Sequence, residues 1–264
     1  MTRSLIDTRG PAWDTLVDGL RLGVGTLTAL PVPPPRRVAR TTAAVAMLLA
    51  PLVGLIPGAA AAAVAWAGTA LGGSAPLCAG LAVGLVALLT RGLHLDGLAD
   101  TADGLASAYD RDRALAVMRR GDTGPSGAAT LVLVLLVQVT ALAQALDRLG
   151  PAAALAGVVA GRAALPVVCA RGIPAARPDG LGATVAGTVP RQAAALVAGL
   201  TAVGCAALVH RPGAVVAALT GLAAAGVLLA RTTRRLGGVT GDVLGACVEA
   251  ATTGTLVVLA VVPA

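Results

Sequence analysis

Residues 126–146 read SGAATLVLVLLVQVTALAQAL, without one charged side chain. As an α-helix rising 1.5 Å per residue, this run would be roughly 30 Å long, the hydrocarbon thickness of a bilayer. It predicts a membrane-spanning helix. Six further apolar runs accompany it, near 41–71, 76–90, 151–170, 192–209, 214–230 and 242–262. Pro51 and Pro57 are expected to kink the first. The expected fold class is all-α: a polytopic transmembrane helix bundle of about seven spans, one integral membrane domain over residues 1–264.

The composition of the whole chain agrees. Of 264 residues, 56% are hydrophobic and 12% charged, with a mean hydropathy of +0.85. Soluble domains carry about 25% charged residues, so there is too little polar surface to cover a soluble globule. The same numbers exclude a disordered chain, and four cysteines in scattered apolar segments do not make a disulfide framework. These cysteines are read as small hydrophobes. Aromatics are 1% and no Phe is present, so helices must pack through small residues.

The 20 basic residues are all Arg, and the net charge is +7. They stand singly or in twos and threes between apolar runs, and not on one soluble face, so no nucleic-acid partner is expected. They fall in alternate loops. Segments 36–40, 91–125, 171–191 and 231–241 are rich in Arg, while 72–75, 147–150 and 210–213 carry one or none. By the positive-inside rule the rich loops are cytoplasmic. Residues 13–30 are moderately apolar but contain Asp14, Asp18 and Arg21, and prolines from Pro31 onward end them. Within an N-terminal interfacial segment 1–40, they are expected to lie at the membrane surface or against the bundle. A spanning helix is the alternative.

Six of the 13 acids lie between residues 93 and 122. Asp96, Asp100 and Asp103 follow one another at i, i+4 and i+7, on one face of a helix. Three carboxylates of one sign, without an Arg at i+4 and adjoining an apolar span, repel each other unless a cation sits among them. Oxygen ligands alone suit Mg²⁺, with Mn²⁺ the alternative, bridging to substrate phosphates. A solvated loop face is the plain alternative. A second pair, Asp242 and Glu249, opens the last span at i, i+7, and Asp242 falls at the same, cytoplasmic end as the stripe. Glu249 lies deeper, and Arg162 lies inside the 151–170 span. A buried Arg needs a partner: Glu249 and a substrate phosphate are equal options. His94 adjoins the stripe, either as a general base or as a packing or supporting residue. Segment 91–125 is thus the expected cytoplasmic catalytic segment.

An acidic face at the end of a helix bundle fits a transferase acting on a phosphorylated amphiphile, such as a CDP-alcohol phosphotransferase-like enzyme of phospholipid synthesis, or an ion-coupled transporter. A transporter should show repeated halves and midplane acids. The acids here cluster at one face, which favours the transferase.

Residues 93–105, Leu93-His94-Leu95-Asp96-Gly97-Leu98-Ala99-Asp100-Thr101-Ala102-Asp103-Gly104-Leu105, strongly resemble the signature of the cobalamin-5′-phosphate synthase family, the adenosylcobinamide-GDP ribazoletransferases. Gly238-Val239-Thr240-Gly241-Asp242-Val243-Leu244-Gly245-Ala246, the early Leu30-Pro31-Val32-Pro33 and the loop Arg177-Pro178-Asp179-Gly180-Leu181-Gly182 are similar to further family motifs, in order over nearly the whole chain. One segment departs: the family typically reads Met-Lys-Asp-Ser-Arg where this chain has Met118-Arg119-Arg120-Gly121-Asp122, so no role is carried to Arg120 or Asp122. The resemblance implies a multi-pass protein of the bacterial plasma (inner) membrane, in contact with lipid, with its site facing the cytoplasm. It also implies a Mg²⁺-dependent union of adenosylcobinamide-GDP with α-ribazole or α-ribazole 5′-phosphate, releasing GMP. Asp96, Asp100, Asp103 and Asp242 would then hold the metal. Asp103 or His94 would take the hydroxyl proton, and Arg119, Arg162, Arg177, Thr240 and Glu249 would serve the substrates. A homo-oligomer is compatible with it.

Overall fold

The computed structural model describes residues 11–107 and 110–261. Residues 1–10 of the N-terminal segment and 108–109 of the acidic segment lie outside the described residues. Thirteen helices follow in order: α1 (Pro11–Leu27), α2 (Arg40–Leu48), α3 (Ala50–Ala70), α4 (Ala75–Leu89), α5 (Leu93–Ser107), α6 (Arg111–Val117), α7 (Pro125–Leu149), α8 (Ala152–Arg162), α9 (Ala164–Val168), α10 (Gly180–Val185), α11 (Arg191–Val209), α12 (Gly213–Leu236) and α13 (Gly241–Val261). Among the described residues there is no strand, only two isolated parallel bridges, Ala170 with Val189 and Ala175 with Val239.

The molecule is a polytopic helical membrane bundle. Among the described residues, five helices, α3, α7, α11, α12 and α13, are long and apolar enough to cross a bilayer. Residues 75–107 qualify only as a pair, α4 and α5, bent by 89°, and 152–168 is shorter and broken at Ala163 into α8 and α9. Each of the seven expected runs therefore coincides with a helix or helix pair, two of them not as full-length spans. The first run breaks at Leu49, between α2 and α3, two residues ahead of Pro51, while Pro57 lies inside the continuous α3. Pro51 sits in the first turn of α3, where a missing N–H costs nothing.

Helix α13 is the hub. Its most apolar window is 72% buried, against 28–44% for the other four full-length spans. Those others turn large apolar side chains outward, among them Leu133, Leu136, Leu196, Leu200 and Val227, as lipid-facing helices must. The interior is filled mainly by Ala, Val and Leu in two clusters, one at each end of the bundle. Helix α1 is amphipathic and packs on α2 and α3. It is tied down by Asp18, whose carboxylate accepts from the backbone N–H groups of Arg36 (3.0 Å) and Arg37 (3.3 Å).

The four arginine-rich loops gather at one end and latch onto one another. Arg40 donates to the carbonyl of Ala186 (3.2 Å), Arg111 to those of Leu236 (2.8 Å) and Ala176 (2.7 Å), and Arg177 to that of Leu115 (2.7 Å). The same end receives α5. The chain turns at Arg91 and Gly92, both with positive φ (54° and 67°), and α5 then runs across the bundle end instead of continuing α4. It meets α13 at two glycines. A Cβ on Gly97 would lie 2.6 Å from the carbonyl oxygen and 2.9 Å from the Cα of Asp242, and one on Gly245 would lie 3.1 Å from the Cα of His94.

The substitution Gly97→Ala is expected to destabilise the protein by about 1–3 kcal/mol, because its methyl would meet backbone that cannot yield. Gly226→Ala, in α12 with open space around it, should be neutral or stabilising by about 0.5–1 kcal/mol. Thermal unfolding of the two variants in detergent measures the difference.

Candidate active site

The glycine crossing sets the acids of the two clusters side by side. Asp96 from the first turn of α5 and Asp242 from the first turn of α13 both line a cavity of about 370 Å³. His94, Thr240, Arg119 and Arg177 share its polar side, while Leu27, Met47, Leu165, Leu181 and Leu244 contribute apolar surface. The Asp242 carboxylate accepts from the Thr240 hydroxyl (3.1 Å) and pairs with Arg177 Nη1 at 3.7 Å. The same hydroxyl accepts from the N–H of Val243 (3.2 Å), so Thr240 also caps α13. Arg177 keeps one buried donor, Nε, without a partner. Arg119 reaches the loop of Arg177 through Asp179, at 2.9 Å.

Asp100 sits one turn on from Asp96, half-exposed. Partial burial pushes its carboxyl up to about 6, helped by the charges of Asp96, Asp242 and Asp103 and opposed by Arg177. Asp103 shares the face but not the neighbourhood. Its two oxygens accept from the backbone N–H groups of Gly124 (2.7 Å) and Gly127 (2.8 Å), so it holds the start of α7. Among the described residues, no three His, Cys, Asp or Glu side chains form a ready-made metal cage. What the structure offers is Asp96, Asp100 and Asp242 close enough to repel one another, all oxygen donors. That suits Mg²⁺, which keeps waters and takes one or two carboxylates together with phosphates of a substrate.

Arg162 and Glu249 lie elsewhere. Both are buried (2% and 6% exposed) and line a separate space of about 40 Å³ within the bundle. Their charges attract each other, and Gln138 Nε2 donates to Glu249 at 2.7 Å and to Thr253 at 3.0 Å. Glu249 attracts Arg162 without an ion-pair contact between the two side chains. Arg162 also contacts the Nδ1 of His94, at 3.3 Å. The sequence reading passed over Gln138, though a polar side chain in the middle of residues 126–146 was a signal for it. It also passed over Arg111, whose two carbonyl contacts join α6 to the end of α12 and to the loop before α10.

A protein-family model described as cobalamin-5-phosphate synthase matches residues 19–260. The chain is 51% identical to a protein of Nocardioides sp. over 90% of its own length and 96% of the relative's. It is 40% identical to one of Frankia casuarinae (89% and 91%) and 38% identical to one of Stutzerimonas stutzeri (91% and 97%). All three relatives carry the name adenosylcobinamide-GDP ribazoletransferase. No solved structure matches the chain.

The raised carboxyl of Asp100 has a consequence for stability. The folded protein binds this proton more tightly than the unfolded chain does, so ionised Asp100 weakens the metal-free fold, and that cost fades as pH falls through about 6. Asp100→Asn should raise the unfolding temperature of metal-free protein above this pH and leave it unchanged well below. A scan of thermal midpoint against pH checks this.

Proposed function

The chain belongs to the cobalamin-5-phosphate synthase family, and on that premise we propose that it joins adenosylcobinamide-GDP to α-ribazole or α-ribazole 5′-phosphate. The products are adenosylcobalamin or its 5′-phosphate, and GMP. The observation that carries this reading is the convergence of Asp96 and Asp242, from two distant parts of the sequence, on one cavity with Arg177 and Arg119. Carboxylates for a cation and guanidinium groups for phosphate oxygens are what phosphoryl transfer demands.

The reaction forms one bond and breaks one. A ribose hydroxyl oxygen attacks the cobinamide-bearing phosphorus of the pyrophosphate, the bridging P–O bond breaks, and GMP departs with the electron pair. Arg177, with its unpartnered buried Nε, binds and orients the pyrophosphate, and Arg119 does so from the mouth. The hydroxyl proton passes to a carboxylate of the Asp96–Asp100–Asp242 group. Mg²⁺, or Mn²⁺, held by these carboxylates would neutralise charge on the transferring phosphoryl group and on GMP. Asp103 supports the group from behind by fixing α7 against α5. The apolar side of the cavity, around Leu27, Leu165 and Leu181, excludes water from the reacting phosphorus.

In this reading the site faces the cytoplasm of a bacterium, whose inner membrane holds the bundle. Two experiments test it. Purified protein in detergent or liposomes, given adenosylcobinamide-GDP and α-ribazole 5′-phosphate, should release GMP with Mg²⁺ and not with EDTA. Asp100→Asn should lose about 100-fold or more. Cobalamin phosphate formed equally well without metal would refute the metal site. For orientation, the native cysteines are all buried, so a single exposed cysteine can be read alone. His210→Cys should react with an impermeant maleimide on intact cells, and Arg113→Cys only after permeabilisation.

A further inference from the structure

His94 stands between the two cavities, and its hydrogen bonding is decided by a neighbour with no freedom of role. A guanidinium has N–H donors and no acceptor. With Arg162 Nη2 at 3.3 Å from His94 Nδ1, that ring nitrogen must be the acceptor. The ring hydrogen therefore belongs on Nε2. This nitrogen is buried and has no partner in the protein, although His94 itself lines the 370 Å³ cavity beside Asp96.

Arg162 is not placed there by chance of rotamer. The Cβ, Cγ and Cδ of its stem pack on Gly54, where an added methyl would come within 3.3–3.5 Å of them. Glu249 attracts its charge without touching it as an ion pair, and Glu249 is held by Gln138 from α7. Arg162, at the end of α8 and packed on α3, is thus held 2% exposed to solvent. A charge so deep is tolerated only with such partners, and its hydrogen-bonding contact toward the active site is His94.

We propose that buried Arg162, with the charge of Glu249 behind it, is a positioning device that sets the tautomer of His94. It holds Nε2 protonated, so that the ring donates a hydrogen bond into the cavity and does not serve as the proton acceptor of the reaction. The recipient is an oxygen of the bound substrate, a phosphate or the attacking hydroxyl. Arg162 acts here through His94 and touches no substrate. The tautomer stands on the protein's own contacts, and the donor role rests on the cavity being the substrate site.

The tautomer can be read without activity. The chain has two histidines, so ¹⁵N-histidine labelling of the full chain in detergent gives a simple ring spectrum, and a His210→Gln sample assigns it. The parent should show His94 with Nδ1 bare and Nε2 protonated. Arg162→Met should lose that single form and give a mixture or the opposite tautomer. A protonated Nδ1 in the parent overturns the proposal, whether or not Arg162→Met folds, and so does an unchanged spectrum in a folded Arg162→Met. The donor role is tested by two isosteres in the GMP-release assay. The amide nitrogen of Gln falls near the place of Nε2 and that of Asn near Nδ1, so His94→Gln should retain at least about tenfold more activity than His94→Asn. Equal loss in the two overturns the donor role. Absence of GMP release in the parent would instead refute the reading of the site, and the ring spectrum would still decide the tautomer.

Discussion

The site depends on one contact between backbones. Helix α5 crosses α13 where Gly97 lies against Asp242 and Gly245 lies against His94. Any side chain at either glycine would hold the helices apart, and the carboxylates they carry would separate with them. A bilayer offers no hydrophobic drive to press helices together, so close approach through small residues is the available source of packing. Here the same approach brings together charges that repel. The crossing is the geometric condition for concentrating negative charge at one point, and Arg177 and the Thr240 hydroxyl relieve that charge locally.

Around this point the arginines have two kinds of work. Those on the loops give their donors to carbonyls of other loops, which joins four segments distant in sequence into one cover at the bundle end. Arg162 works inside the bundle, where the charge of Glu249 attracts it and Gln138 holds Glu249. The protein thus places a polar network behind the acidic cavity, and His94 is the contact between the two.

Much of this was legible in the sequence. Uninterrupted apolar runs located the helices, because in hydrocarbon the backbone has no other partner than itself. Alternating arginine content showed that the two acidic clusters share an end. Other features were not legible, for physical reasons. Asp96, Asp100 and Asp103 share a helical face, but seven residues span roughly 10 Å along the axis. A cation with bonds near 2 Å cannot touch both ends of such a stripe. Periodicity fixes a face and says nothing of what packs on it, so Asp103 could meet the start of α7 while Asp96 met a cavity. The breaks at Leu49 and Ala163 fall two and three residues ahead of Pro51 and Pro166, whose rings leave a carbonyl four residues back without its donor. Glu249, read as serving the substrate, lies too deep on α13 to reach the cavity that Asp242 lines, again because a shared face is a line and not a point.

The interlocked loops also bear on how the protein is made. A nascent chain receives its orientation span by span, from the same arginines that later hold the bundle end closed. A hairpin inserted the wrong way round would carry its arginines to the far side of the membrane, and the carbonyls they latch would be left on the near side. Arg40 without Ala186, or Arg111 without Leu236 and Ala176, cannot close the end where Asp96 and Asp242 meet. Orientation errors are therefore not graded defects in this architecture. They leave a molecule without a pocket, so that assembly checks its own topology before any chemistry can begin.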